Sequence, residues 1–77
     1  MSQATIIRIE FPYTISIYNV EVKNKLTQIT LWCEDIFGNR YIRYVSQNVS
    51  DYRWTFYMGQ IRIRNYDDYI TFKMMWL

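Results

Sequence analysis

Residues 51–64, DYRWTFYMGQIRIR, decide how this chain can fold. Trp54, Phe56 and Met58 fall on one side of an extended segment, whereas Ile61 and Ile63 keep the alternation on the opposite parity. Successive side chains of a strand point to opposite faces. A straight run would therefore leave either the rings or the isoleucines in water, and it would far exceed the usual strand of about 5–6 residues. A turn or bulge near Gly59 removes both conflicts, because glycine adopts left-handed backbone angles without steric cost. On that reading Arg62 and Arg64 point away from the core. They form a binding surface only where they converge with arginines of neighbouring strands.

Short alternating patterns continue on either side. Thr5–Phe11 sets Ile7, Ile9 and Phe11 against Arg8 and Glu10, and Pro12, which lacks a ladder amide, marks the strand end. Tyr13–Val22 resumes with a parity change that a bulge near Tyr18 or Asn19 would absorb. Lys23-Asn24-Lys25 reverses the chain, and Leu26–Cys33 aligns Ile29, Leu31 and Cys33. A helix is conceivable in that last segment, but its β-branched content disfavours one. Gly38-Asn39 suits a hairpin, with Arg40–Ser46 returning as an edge strand. A polar loop then leads to Tyr52–Met58, the strongest strand pattern, and Ile61–Arg64 lies beside it. Asn65–Asp68 reads as a turn. Tyr69–Leu77 closes the chain with Ile70, Phe72, Met74 and Trp76 inward, which would tie the C-terminus into the fold.

The expected fold is therefore all-β: one compact domain over residues 1–77, with five to seven short strands in a small antiparallel sheet rolled into a barrel or sandwich. Closure of that kind shields sheet edges. In architecture alone it resembles oligonucleotide-binding and SH3-type barrels, without a motif of either family.

Composition bounds the rest. The chain has 77 residues, 51% of them hydrophobic, with eight tyrosines, four phenylalanines and three tryptophans. So short a chain buries a small core, and a homodimer would enlarge it. Cys33 is alone and histidine is absent, which argues against a disulfide or a structural zinc site and for a reducing, cytoplasmic setting. The start MSQATIIRIEF lacks the pattern of a secretory signal, and no apolar run approaches about 20 residues, so no membrane association is expected. Asn48-Val49-Ser50 matches the glycosylation pattern but carries little meaning in a cytosolic protein. A bias toward Ile, Tyr and Asn suits an AT-rich coding sequence, and hence an accessory product of a virus or mobile element.

Catalytic chemistry has little to build on. Without histidine the commonest general base is missing. No serine sits in a glycine-flanked elbow, and Gly38 and Gly59 stand alone rather than in a phosphate loop. Glu34-Asp35 and Asp67-Asp68 are better read as solvated turn residues than as metal ligands, and Cys33 as a core thiol. The chain is expected to be no enzyme and to hold no cofactor or metal.

What remains is recognition. Tyr, Trp, Met and Arg are the side chains enriched in buried interfaces. The expected role is a small protein-interaction domain, acting as a stoichiometric inhibitor or accessory factor. Arg43, Arg53, Arg62 and Arg64 would supply polar contacts, and Tyr57 and Trp32 the aromatic anchors. The alternative is a nucleic-acid-binding β-domain in which tyrosines stack bases and arginines contact phosphate. The formal charge of +2 is too mild to select that alternative.

Overall fold

In a computed structural model of the chain the turn at Gly59 organises the sheet. β2 (Trp54–Tyr57) and β3 (Gln60–Ile63) pair antiparallel, Tyr57 opposite Gln60 and Trp54 opposite Ile63. The link is Met58-Gly59, with φ of 52° and 72°. Two consecutive positive φ angles match the right-handed twist of the flanking strands. A side chain at Gly59 would meet that backbone strain and also lie 3.3 Å from the Tyr18 ring. β1 (Tyr13–Ser16) adds antiparallel to the other edge of β3, giving the order β1-β3-β2.

The rest of the fold corrects the all-β expectation. The structure describes residues 3–42, 45–46 and 48–77, and over half of these are helical. Four α-helices accompany the sheet among them: α1 (Gln3–Glu10), α2 (Val20–Asn24), α3 (Leu26–Phe37) and α4 (Tyr66–Trp76). A single 3-10 turn spans Val49–Asp51. The three strands form an open sheet, not a barrel or sandwich. Thr5–Phe11, Leu26–Cys33 and Tyr69–Leu77 are helical where strands were expected. The Gly38-Asn39 hairpin is instead the exit of α3, with Gly38 at φ 89°. Of the expected return strand, Tyr41 makes one isolated bridge to Thr55, while Arg43 and Tyr44 lie outside the described residues.

The error has one physical source: every second residue includes every fourth. In α3 the buried residues are Ile29, Cys33 and Phe37, and Leu31 between them is 61% exposed. In the α1 segment Ile7 and Phe11 are buried while Ile9 is 60% exposed. In α4, Asp68 and Phe72 are buried, Trp76 is half-buried, and Met74 is 83% exposed. A strand would have turned those intervening residues inward; the helices turn them to solvent. Local chemistry supports the helices. Asn19 Oδ1 accepts from the amides of Glu21 and Val22 at the start of α2. Asp67 and Asp68 lie in the first turn of α4, where carboxylates favour the positive end of the helix dipole.

The two faces of the sheet bury different things. Ile15, Trp54, Ile61 and Ile63 pack with Val22, Ile29, Cys33, Phe37 and Phe72 of the three helices α2, α3 and α4. Trp32 and Trp76 close the margin of this core edge-to-face, 6.0 Å apart, which ties down the end of the chain. The indole of Trp54 donates to the Gly38 carbonyl at 2.8 Å, so its polar atom is satisfied inside the core. Across the sheet lies a smaller cluster of Ile7, Phe11 and Tyr41, flanked by Val49, Tyr52 and Tyr57. Burial, with a contribution from Glu34, pushes the Cys33 thiol up to about 12. It is a core group, as expected.

Candidate interaction site

Alternation in the strands assigns the second face of the sheet to Thr14 and Ser16 of β1, Gln60 and Arg62 of β3, and Thr55 and Tyr57 of β2. The register places Thr14 beside Arg62, Ser16 beside Gln60, and Thr55 beside Arg62 on the other side. Thr55 is buried, its hydroxyl donating to the Tyr41 carbonyl at 2.7 Å under the smaller cluster. Toward β1 the face opens: Ser16 is exposed, and Thr14, Gln60 and Arg62 are half-buried.

The arginines expected to supply polar contacts have separate tasks. Arg53 is paired bidentately with Asp68, Nε to Oδ2 at 2.9 Å and Nη2 to Oδ1 at 2.6 Å. It also donates to the Ile36 carbonyl and lies 5.2 Å over the Phe37 ring. These bonds raise the Arg53 pKa, against a smaller opposing effect of burial, and hold Asp68 below its usual carboxylate value. Arg64 donates to the carbonyls of Tyr52 and Val49 and pairs with Glu10 at 2.5 Å. Its guanidinium stacks 5.0 Å over Phe11, tying α1 to the 49–52 segment. Both arginines hold the fold together with their charge balanced by a carboxylate.

Arg62 differs. Its Nε donates to the Phe11 carbonyl at 2.9 Å and its Nη1 to Gln60 Oε1 at 2.9 Å, two neutral acceptors. Burial lowers its pKa, and the nearby charge of Arg8 lowers it further, while Tyr57 opposes the effect. Arg8 is exposed in the last turn of α1. The ion pairs among the described residues are Arg53–Asp68 and Arg64–Glu10, so neither Arg8 nor Arg62 has a carboxylate partner there.

The structure therefore places Arg62 and Tyr57 of the expected contact residues on one sheet face, while Arg53 and Arg64 are committed to carboxylates. Trp32 is a half-buried, edge-to-face neighbour of Phe37, Phe72 and Trp76 at the margin of the main core. Arg43 lies outside the described residues. Arg8 was missed as a contact residue. Its signal in sequence was simply an arginine opposite Ile7 and Ile9 in a segment read as a strand.

A concave region lies at the exit of α3. It is a cleft of about 570 Å³ lined by Glu34, Asn39, Arg40, Asp51 and Tyr52, with Ile42 and Val45 on its apolar side. Its guanidinium offsets one of its two carboxylates, and no group of three potential metal ligands gathers among the described residues. No helix of the described residues is long and apolar enough to cross a membrane. No protein-family model matches the chain, and neither a curated protein nor a solved structure does.

Proposed function

We propose that this chain is a non-enzymatic protein-interaction domain that docks an acidic segment of a partner protein on the open half of its sheet. The observation that carries this reading is Arg62, a half-buried cation bonded to two neutral acceptors and without a carboxylate among the described residues, on one sheet face with Tyr57, Thr14 and Gln60. Removing an arginine from water is costly unless an anion compensates it, so a partner carboxylate would gain more here than at Arg53 or Arg64. Tyr57 offers an aromatic surface of the type that dominates interface energetics. A long nucleic acid suits the face less well, because tracking a polyanion requires several free cations. The lone buried thiol of Cys33 is consistent with a reducing, cytoplasmic setting.

The test is affinity capture with the intact chain and with R8Q and R62Q variants, each with and without nuclease, followed by native mass measurement of the complex. A partner protein should be retained after nuclease at fixed stoichiometry, and the double variant should weaken it about tenfold or more. Equal capture by the double variant, or retention that vanishes with nuclease, overturns the docking role.

A further inference from the structure

The two edges of the sheet are finished differently. Beyond β2, Tyr41 covers the edge: its amide donates to the Trp54 carbonyl at 3.0 Å, and its carbonyl accepts the Thr55 hydroxyl. Beyond β1 no strand follows among the described residues. The register decides which groups that edge presents, because in an antiparallel pair residues that exchange backbone bonds alternate with residues that do not. The Ile17 amide donates to the Gly59 carbonyl at 3.1 Å, so Tyr13, Ile15 and Ile17 turn their backbone groups toward β3. Thr14 and Ser16 turn theirs outward. Their amides and the Thr14 carbonyl have no partner among the described residues, and the Ser16 carbonyl accepts only the Asn19 amide, at 3.3 Å. Folded proteins guard such an edge with lysine, proline or a bulge. Tyr13–Ser16 contains none of these, and Pro12 stands outside the strand.

We propose that the β1 edge pairs antiparallel with β1 of a second copy of this chain, about a two-fold axis at Ile15. Thr14 then faces Ser16 of the second copy, and the two exchange both amide-to-carbonyl bonds. Their hydroxyl side chains meet on the open face, a favourable cross-strand pair. The strand's neutrality selects a second copy as the occupant. A two-fold axis brings each residue near its own mate, so a charged edge would repel itself, whereas Tyr13, Thr14, Ile15 and Ser16 bring no charge. Arg62 lies one strand inward. It stays three strand spacings of about 4.8 Å each from its mate, beyond the screening length of about 10 Å in 0.1 M salt. Because Tyr41 occupies the other edge, pairing stops at two copies. The inference concerns the edge of the sheet and is independent of what docks on its face.

Sedimentation and native mass measurement of the intact chain over a concentration series should show monomer passing to dimer and nothing larger. Over the same series, hydrogen exchange at the Thr14 and Ser16 amides should slow about tenfold or more, while Ile15 and Ile17, already bonded to β3, change far less. Thr14→Pro deletes an outward amide without removing a bond to β3, and should weaken the dimer about tenfold or more. S16K is the independent variant: Ser16 is exposed, so the fold is kept, and lysine guards the edge. It should weaken the dimer while leaving the helical circular dichroism unchanged. A chain that stays monomeric throughout, a dimer undiminished in both variants, or growth beyond two copies overturns the two-fold edge. So does protection of Thr14 and Ser16 that arises only with a captured partner protein, which would give the edge to that partner.

Discussion

The two faces of one three-stranded sheet solve different problems. One face presents Tyr13, Ile15, Trp54, Phe56, Ile61 and Ile63 to three helices, and its cohesion is apolar burial. The other holds a single short helix, α1, through a small apolar cluster of Ile7, Phe11 and Tyr41 reinforced by directed bonds: Arg64 to Glu10 and to two carbonyls of the 49–52 segment, and Arg62 to the carbonyl that follows α1. Apolar packing is non-directional and tolerates small movements, whereas a guanidinium fork fixes the position of each oxygen that it reaches. The second face can therefore remain partly open to solvent without losing its geometry. A face held in that way is suited to contact another molecule.

The contrast predicts a hierarchy of losses. Trp54→Ala removes the largest fully buried side chain of the main core along with its bond to Gly38. It should cost about 3–5 kcal/mol, enough to shift the denaturant midpoint of the whole chain or unfold it. If W54A proved nearly as stable as the native chain, the assignment of this face as the cohesive one would be broken. Arg64→Gln should cost less, about 1–3 kcal/mol, and act locally. Amide exchange should accelerate in α1 and in residues 49–52, while α3 and α4 keep their protection. Uniform acceleration across all elements would show that the two faces are one cooperative unit.

The smallest effect is expected at Asp68, whose partner Arg53 is 45% exposed in its side chain, so that water and salt screen the pair. Asp68→Asn should cost no more than about 1 kcal/mol. Its signature is the pH dependence. The folded-state pKa of Asp68 is depressed, chiefly by the Arg53 hydrogen bonds. The contribution is thus fully present above the unfolded carboxylate pKa of about 3.9 and is lost as pH falls through the lower folded value. Native and D68N stability curves should converge at acid pH. Curves that stay parallel through the acid range would assign the loss to packing instead of ionisation.

Legibility in the sequence followed the same physical lines. The break at Gly59 could be read because two parities collided within a few residues and a turn or bulge there reconciles them. β2, β3 and the inward Ile61 and Ile63 follow from it, whereas the burial of Cys33 was read from its alignment with Ile29. The helices were misread because their buried residues recur at spacing four, which a period-two pattern also contains. Ile9, Leu31 and Met74 separate the alternatives, and being apolar they gave no hint that they face water. The local preference of Thr5, Ile6 and Ile7 for extended structure was outweighed by tertiary packing of one helical face. At the candidate site, Arg62 and Tyr57 were visible as outward strand residues, but the division of arginines into ties and open cations was not. That division depends on carbonyls and carboxylates brought from as far away as Glu10 and Phe11.

By itself, then, the sequence determined a break near Gly59, the inward parity on each side of it, and a chain poor in catalytic groups and rich in arginine and aromatic rings. These are properties of residue type and near-neighbour spacing. Only the tertiary structure decided that flanking segments coil into helices, that the break is a hairpin, and that Asp68 and Glu10 neutralise Arg53 and Arg64 while Arg62 bonds neutral oxygens. Such choices turn on which distant groups share a desolvated space, and a burial pattern repeating every fourth residue does not distinguish its alternatives until a partner surface is there to receive it.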